Sequence, residues 1–169
     1  MSKHRVDTYV SIDIEADGPV PGLNSMIALG AAVFYSDGRE GARYYAKLAP
    51  LPDAKQNVDT MAWWGAQPEA WAEVTKDQRK PEVEIPIFAA WLETLGKNPI
   101  AVAWPAAFDF SFVCYYLWRF TGKCSLGFAC VDLRSLAMGL TRSEGYYKLS
   151  EKKMRSVGKG VDKTGLREH

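Results

Sequence analysis

The sequence has no excess of charge of either sign. Its 169 residues carry 21 Lys and Arg against 20 Asp and Glu, a net charge of +1. This balance disfavours proteins that hold nucleic acid by bulk positive charge. Cysteine is also scarce, with three residues and no CxxC pair. That count argues against a disulfide framework or a zinc knuckle and favours a reducing compartment, so we expect a cytoplasmic location.

The chain also lacks the hydrophobic patterns of export and membrane insertion. The start, MSKHRVDTYVSIDIEAD, has acids where a signal peptide needs an apolar stretch. Residues 100–118 are long enough to span a bilayer but contain Pro105 and Asp109. A charge at mid-membrane costs about 2.5–3.5 kcal/mol or more. We therefore interpret this run as a buried strand, a turn and a buried helix, and we expect no membrane partner.

Nearly half of the residues, 47%, are hydrophobic, which is ample for one packed domain. Residues 8–15 alternate, with Val10, Ile12 and Ile14 on one face, and predict a strand. Residues 26–35 predict a second strand, Asp37-Gly38 a hairpin turn, and residues 42–49 a third strand. The first part of the chain is therefore predicted to be an antiparallel meander.

The rest of the chain has mostly helical spacing. A helix capped by Asp59 or Thr60 is predicted through the tryptophan-rich stretch, with a break near Pro68. The further predicted elements are a helix around residues 88–95, a strand at 100–104, and helices at 108–120 and 132–140, the last with Asp132 as its cap. This order indicates an α/β domain with a mixed sheet.

Three acids stand out against these apolar elements. Asp13 and Glu15 are two residues apart on a predicted strand, so their Cα atoms lie roughly 6.6–6.8 Å apart and both side chains share one face. Asp109 opens an aromatic helix. A solvent-exposed edge strand would account for Asp13 and Glu15 by themselves. A favourable interaction with the helix dipole, worth about 0.3–1 kcal/mol, would account for Asp109 by itself. Neither explains all three, whereas a divalent cation would.

In their order and context, SIDIEADGP, AVAWPAAFDFSFV and the final LREH resemble the motifs of the DEDD 3′–5′ exonucleases, in the histidine branch (DEDDh). TMAWWGAQPEAW is similar to the small bacterial exoribonucleases related to the mycobacterial polyadenylate-preferring enzyme. The resemblance implies a ribonuclease H-like fold, an antiparallel meander plus a parallel strand flanked by helices. It covers the whole chain, so residues 1–169 are expected to form a single exonuclease domain.

The resemblance also implies a site and a reaction. Asp13, Glu15 and Asp109 would hold two Mg²⁺ or Mn²⁺ ions, and His169 would be the general base. The partner would be the 3′ end of single-stranded RNA, released as nucleoside 5′-monophosphates. The family's fourth acid would fall five residues after His169, but the sequence ends at His169. We therefore expect the last helix to be missing, metal binding to be weak and hydrolysis to be slow.

Substrate contacts are expected from Trp63 or Trp64, by stacking on a base, and from the backbone at Ala16. Of the two tryptophans, Trp64 is the predicted contact, and Trp71 is predicted to be buried. Two alternatives stay open: a non-catalytic nucleic-acid-binding module of the same fold, and a 3′–5′ DNA exonuclease. The 21 aromatic residues also make a homodimer a hypothesis to test, and the oligomeric state stays open.

Overall fold

The computed structural model describes residues 6–142 and 145. Within this part of the chain, the strands are β1 (Thr8–Ala16), β2 (Met26–Tyr35), β3 (Glu40–Lys47), β4 (Ile100–Ala103) and β5 (Cys130–Asp132). The helices are α1 (Val58–Gly65), α2 (Pro68–Thr75), α3 (Pro81–Thr94), α4 (Ala106–Thr121) and α5 (Leu133–Thr141). His169 lies outside the described residues.

All five of these strands belong to one mixed sheet, in the order β3-β2-β1-β4-β5. The meander of β1, β2 and β3 is antiparallel, whereas β1 with β4 and β4 with β5 are parallel. The predicted mixed sheet is thus confirmed. Strand β5 was not predicted, because its three residues are too few for an alternating pattern to be visible.

The main core lies between one face of this sheet and two helices. The alternating residues Val10, Ile12 and Ile14 are buried there against side chains of α3 and α4, such as Phe88 and Phe112. The residues between them on β1 therefore lie on the opposite face. The apolar run at 100–118 divides into β4 and α4 as predicted. In the part of the chain that the structure describes, no helix is long and apolar enough to cross a membrane.

Two local predictions need correction. The cap of α1 is Asn57, not Asp59 or Thr60: its side chain accepts a hydrogen bond from the Thr60 backbone N–H at 3.0 Å. Asn is as good a cap as Asp, and it begins the helix two or three residues earlier than predicted. Trp71 is half-buried rather than buried, because the short helix α2 lies at the surface with no fully buried residue.

Candidate functional site

Strand β1 carries Asp13 and Glu15 on the face opposite the main core. In the sheet register Asp13 lies beside Gly30 of β2, and Glu15 lies beside Ala28. These small neighbours leave space on this face: a Cβ placed on Gly30 would meet nothing closer than the Asp13 carbonyl oxygen, 3.7 Å away. Asp13 is exposed and Glu15 is half-buried. The predicted pair is therefore on one accessible face.

Helix α4 brings Asp109 to the same end of β1. Strand β4 pairs with β1 only as far as Ser11, so the N–H of Ile14 lies beyond its reach. Asp109 Oδ1 accepts that N–H at 3.1 Å. Because Ile14 stands between Asp13 and Glu15 in the chain, this bond fixes the helix acid next to the strand acids. The other carboxylate oxygen of Asp109, Oδ2, is buried and has no hydrogen-bond partner.

All three carboxylates have raised pKa values, chiefly because of burial. Asp109 is only 2% exposed, and its burial, opposed by the hydrogen bond from Ile14 and reinforced by the charges of Asp13 and Glu15, raises its pKa to about 7. Desolvation and then the Asp13 charge raise the pKa of Glu15, and desolvation raises the pKa of Asp13. The acids thus share a negative field that a bound cation would offset.

These side chains can supply only part of a metal ion's coordination shell. Among residues 6–142 and 145, no three Asp, Glu, His or Cys side chains form a ready-made metal-binding group. A closed cage built by protein alone is therefore not present in this part. Mg²⁺ in phosphate-processing sites, however, commonly takes one or two carboxylates and completes its shell with substrate phosphate and water. The orphaned Oδ2 of Asp109 beside two further carboxylates fits a cation held in that way.

Asp132 is a helix cap, as predicted. At the end of β5 its Oδ1 accepts the Ser135 N–H at 2.6 Å and caps α5. Its Oδ2 accepts the Ala106 N–H at 2.8 Å, at the first residue of α4. One carboxylate therefore fixes the beginning of two helices, including the helix that carries Asp109. This second bond also explains why α4 begins at 106 rather than at the predicted 108.

The two neighbouring tryptophans have opposite environments. Trp64 is 3% exposed and its indole N–H donates to the Ala16 carbonyl at 3.0 Å. Trp63 is 54% exposed and meets Trp64 edge-on, with ring centroids 4.8 Å apart. The prediction that Trp64 faces the substrate is therefore wrong, because its ring is buried and its N–H is bonded to the Ala16 carbonyl. At Ala16, the predicted backbone contact, the residue is 6% exposed and its carbonyl is already engaged by this indole.

One positioning residue was missed in the sequence. Asp17 is 1% exposed, and its Oδ1 accepts the Ser25 N–H at 2.6 Å. Its backbone carbonyl accepts the Asn57 N–H at 2.8 Å, which ties α1 to the end of β1. The available signal was a third acid in the run IDIEAD, four residues after Asp13. Asp17 thus holds the loop that follows the two strand acids.

The sequence of this chain is similar to those of known 3'-5' exonucleases. The model of the domain described as 3'-5' exoribonuclease Rv2179c-like matches residues 8–157. The 3'-5' DNA exonuclease Cap18 of Escherichia coli is 27% identical over 142 residues, which cover 81% of this chain and 71% of that protein.

Solved structures of exonuclease I are also similar. The Escherichia coli enzyme in complex with a dT13 oligonucleotide superimposes with a TM-score of 0.62 at 16% identity, covering 82% of this chain and 31% of that one. A product-bound form gives 0.62 at 16% identity, covering 82% and 33%. This chain thus spans about a third of the exonuclease I chains. At this identity the likeness shows the fold, and it confirms the ribonuclease H-like architecture.

Proposed function

Because the chain belongs to the Rv2179c-like 3′–5′ exoribonuclease domain family and is a 3′–5′ exonuclease, we propose that it shortens single-stranded RNA from the 3′ end at Asp13, Glu15 and Asp109, using two divalent ions. The family implies dependence on a divalent metal. The observation that best supports this site is the hydrogen bond from the Ile14 N–H to the Asp109 carboxylate, because it joins the helix acid to the strand acids.

Each acid has a role that follows from its surroundings. Asp13, the exposed one, would hold both ions, while Glu15 and Asp109 would each hold one. Bound Mg²⁺ or Mn²⁺ supplies the charge that stabilises the phosphoryl oxygens and lowers the pKa of the attacking water. Ile14 keeps Asp109 oriented through Oδ1, which leaves Oδ2 as the donor atom. His169, by its resemblance to the family motif, is the proposed acceptor of the water proton.

Trp63 is the proposed contact for a nucleobase. Its ring is exposed on α1, and the buried Trp64 behind it is tied to Ala16, the last residue of the strand that carries the acids. An exposed aromatic ring supported from behind is a suitable stacking platform for a base, and such stacking is worth about 1–3 kcal/mol per base. The position therefore fits a base near the 3′ end of the bound strand.

DNA is the second candidate substrate, and the similarity to the DNA exonuclease Cap18 favours it. The family description favours RNA. The two substrates differ at the 2′-hydroxyl, which can both donate and accept a hydrogen bond. Glu15 is the proposed acceptor for that hydroxyl, since its carboxylate lies on the accessible face of β1. Exchange of RNA for DNA at one sequence therefore tests this part of the proposal.

The experiment uses 5′-labelled oligoadenylate as RNA and as DNA, with Mn²⁺ or with EDTA. The proposal predicts a ladder that shortens from the 3′ end with RNA and Mn²⁺, and none with EDTA. Asp13→Asn should abolish the ladder, and Asp37→Asn, an exposed acid in the hairpin turn, should leave it unchanged. Faster digestion of DNA would contradict the RNA preference. Binding without a ladder under any condition would support the non-catalytic module instead.

A further inference from the structure

Two cysteines are in contact beside the middle of α4, the first of them five residues along the chain from Asp109. Cys114 stands on α4, and Cys124 stands in the loop that joins α4 to β5. Their sulfur atoms are 3.3 Å apart. Both side chains are half-buried and both are free thiols. Small oxidants can therefore reach a pair of thiols that already face each other.

The loop around Cys124 stabilises a thiolate. The Cys114 S–H and then the backbone N–H groups of Leu126 and Gly127 lower the pKa of Cys124 to about 7, against the effect of burial. Gly127 has a φ of +73°, a left-handed conformation that a glycine adopts easily, and in this turn its N–H donates to the Cys124 backbone carbonyl at 3.0 Å. The same contact raises the pKa of Cys114. One sulfur is thus prepared as a nucleophile and the other as its proton donor.

We propose that Cys114 and Cys124 form a redox-modification site, at which a peroxide converts the two thiols into a disulfide. The Cys124 thiolate attacks one peroxide oxygen, which breaks the O–O bond, gives a sulfenic acid and releases hydroxide. The Cys114 sulfur then attacks the sulfenic sulfur, which forms the S–S bond and expels the hydroxyl group as water. In total two thiols and one hydrogen peroxide give one disulfide and two waters.

The geometry requires little movement. A disulfide has an S–S distance of about 2.05 Å, so the sulfurs must approach by a little over 1 Å from their 3.3 Å separation. Cys114 is held by the helix, whereas Cys124 belongs to a loop that can shift toward it. The bond would fasten this loop, which leads into β5 and Asp132, to the helix that carries Asp109. Oxidation should therefore raise the temperature of unfolding.

Cys130 provides a matched control within the same chain. It is also half-buried, but burial and the charges of Asp132 and Asp109 raise its pKa to about 11. Its thiol therefore stays protonated and reacts slowly with peroxide. In its conformation on β5 the S–H points toward the neighbouring Val131 carbonyl. A reaction driven by general thiol exposure would consume Cys130 as fast as the proposed pair.

The experiment titrates free thiols in the unfolded chain after limited hydrogen peroxide treatment of the folded full-length protein, and it maps the product without reduction. Arg119 and Lys123 both lie between the two cysteines, so trypsin places Cys114 and Cys124 on separate peptides that only a disulfide keeps together. Cys124 and Cys130 share one tryptic peptide, so the Cys130→Ala variant assigns the partner. Dithiothreitol should restore the thiols in every sample.

The proposal predicts that the thiol count of the wild-type chain falls from three to one, with the linked peptides present in a monomeric product. Cys130→Ala should fall from two to none and Cys124→Ala should keep two at the same dose, while Cys114→Ala should lose at most the one thiol of Cys124, as a sulfenic acid and with no linked peptides. Equal thiol loss in Cys114→Ala, a wild-type count that stays at three, or a cross-link between two molecules would each overturn it.

Discussion

At the scale of single residues, the account depends on Asp109. A buried carboxylate with one unpartnered oxygen is costly for a folded chain, because desolvation disfavours its charged form. The neighbouring acids increase that cost rather than reduce it. Such an arrangement destabilises the metal-free protein, and a bound cation would remove the penalty. Stability and function should therefore respond in opposite directions when this charge is deleted.

We predict that Asp109→Asn lowers exonuclease activity while it maintains or raises the thermal stability of the metal-free chain. The amide oxygen can still accept the Ile14 N–H, so the local fold is kept. Removing a group that only orients a metal ligand already costs about 10–100-fold in affinity or activity, and removing a direct ligand should cost at least as much. Initial rates with Mn²⁺ and a thermal melt in EDTA measure the two effects; a variant that melts lower and digests normally would refute the assignment.

The pH dependence of stability gives a second test at the same residue. The pKa of Asp109 in the folded chain is about 7, above its ordinary value of 3.8. Between these values the folded chain holds a proton that the unfolded chain releases, so the free energy of unfolding falls as pH rises and the loss is complete above pH 7. Asp13 and Glu15 act with the same sign.

We therefore expect urea denaturation in EDTA to show lower stability at about pH 8 than at about pH 5, with a smaller difference in Asp109→Asn. Both proteins contain the same remaining titratable groups, so the variant is its own control for them. An identical pH dependence in the two proteins would show that Asp109 titrates normally.

At the scale of secondary-structure elements, α1 and α4 are each held to the sheet by a polar side chain. Helix α1 is attached to β1 through the Trp64 indole, and α4 is attached to β5 through Asp132. The sequence predicted Asp132 as a cap, because an acid at a helix start has a local signal. It could not show which tryptophan is buried, since neighbouring residues on an amphipathic helix differ in exposure only once the partner surface is known.

The tryptophans of α1 should separate binding from stability. Trp63→Ala should leave the melting temperature nearly unchanged, because the ring is 54% exposed, and weaken oligonucleotide binding by up to about 1–3 kcal/mol. Trp64→Phe should lower stability by about 0.5–1.5 kcal/mol for the lost hydrogen bond alone. Fluorescence-polarisation titrations on the Asp13→Asn background, together with melts, measure both. Unchanged binding in Trp63→Ala would exclude the stacking role.

The cap shared by α4 and α5 predicts a graded series. Asp132→Ala leaves the N–H groups of Ala106 and Ser135 without their acceptor, and loss of a helix cap costs about 0.5–2 kcal/mol. Asp132→Asn retains one acceptor oxygen and should be intermediate. Denaturant midpoints should follow the order Asp, Asn, Ala, and activity should follow them, because α4 positions Asp109. If the Asp132→Ala and Asp132→Asn variants were equally stable, the two hydrogen bonds would not be the cause of the stabilisation.

At the scale of the whole molecule, the sheet places the site. Parallel strands β1 and β4 end at the same edge, where the chain turns into α4, and this brings residues 13, 15 and 109 together across a long sequence separation. Strand and helix patterns predicted most elements and the three acids, since alternation and helical spacing are local signals. The short β5, the cap at Asn57 and the Asp17 contacts were not predicted, because they depend on tertiary contacts.

The most direct test of the central claim is a calorimetric titration of Mn²⁺ into the chain in the presence of a nucleoside 5′-monophosphate, whose phosphate can complete the ion's shell. The account predicts that the chain binds Mn²⁺, that Asp13→Asn and Glu15→Gln bind it much more weakly, and that Asp37→Asn binds it like the wild type. Equal Mn²⁺ affinity in all four proteins would contradict the assignment of these carboxylates as the metal site.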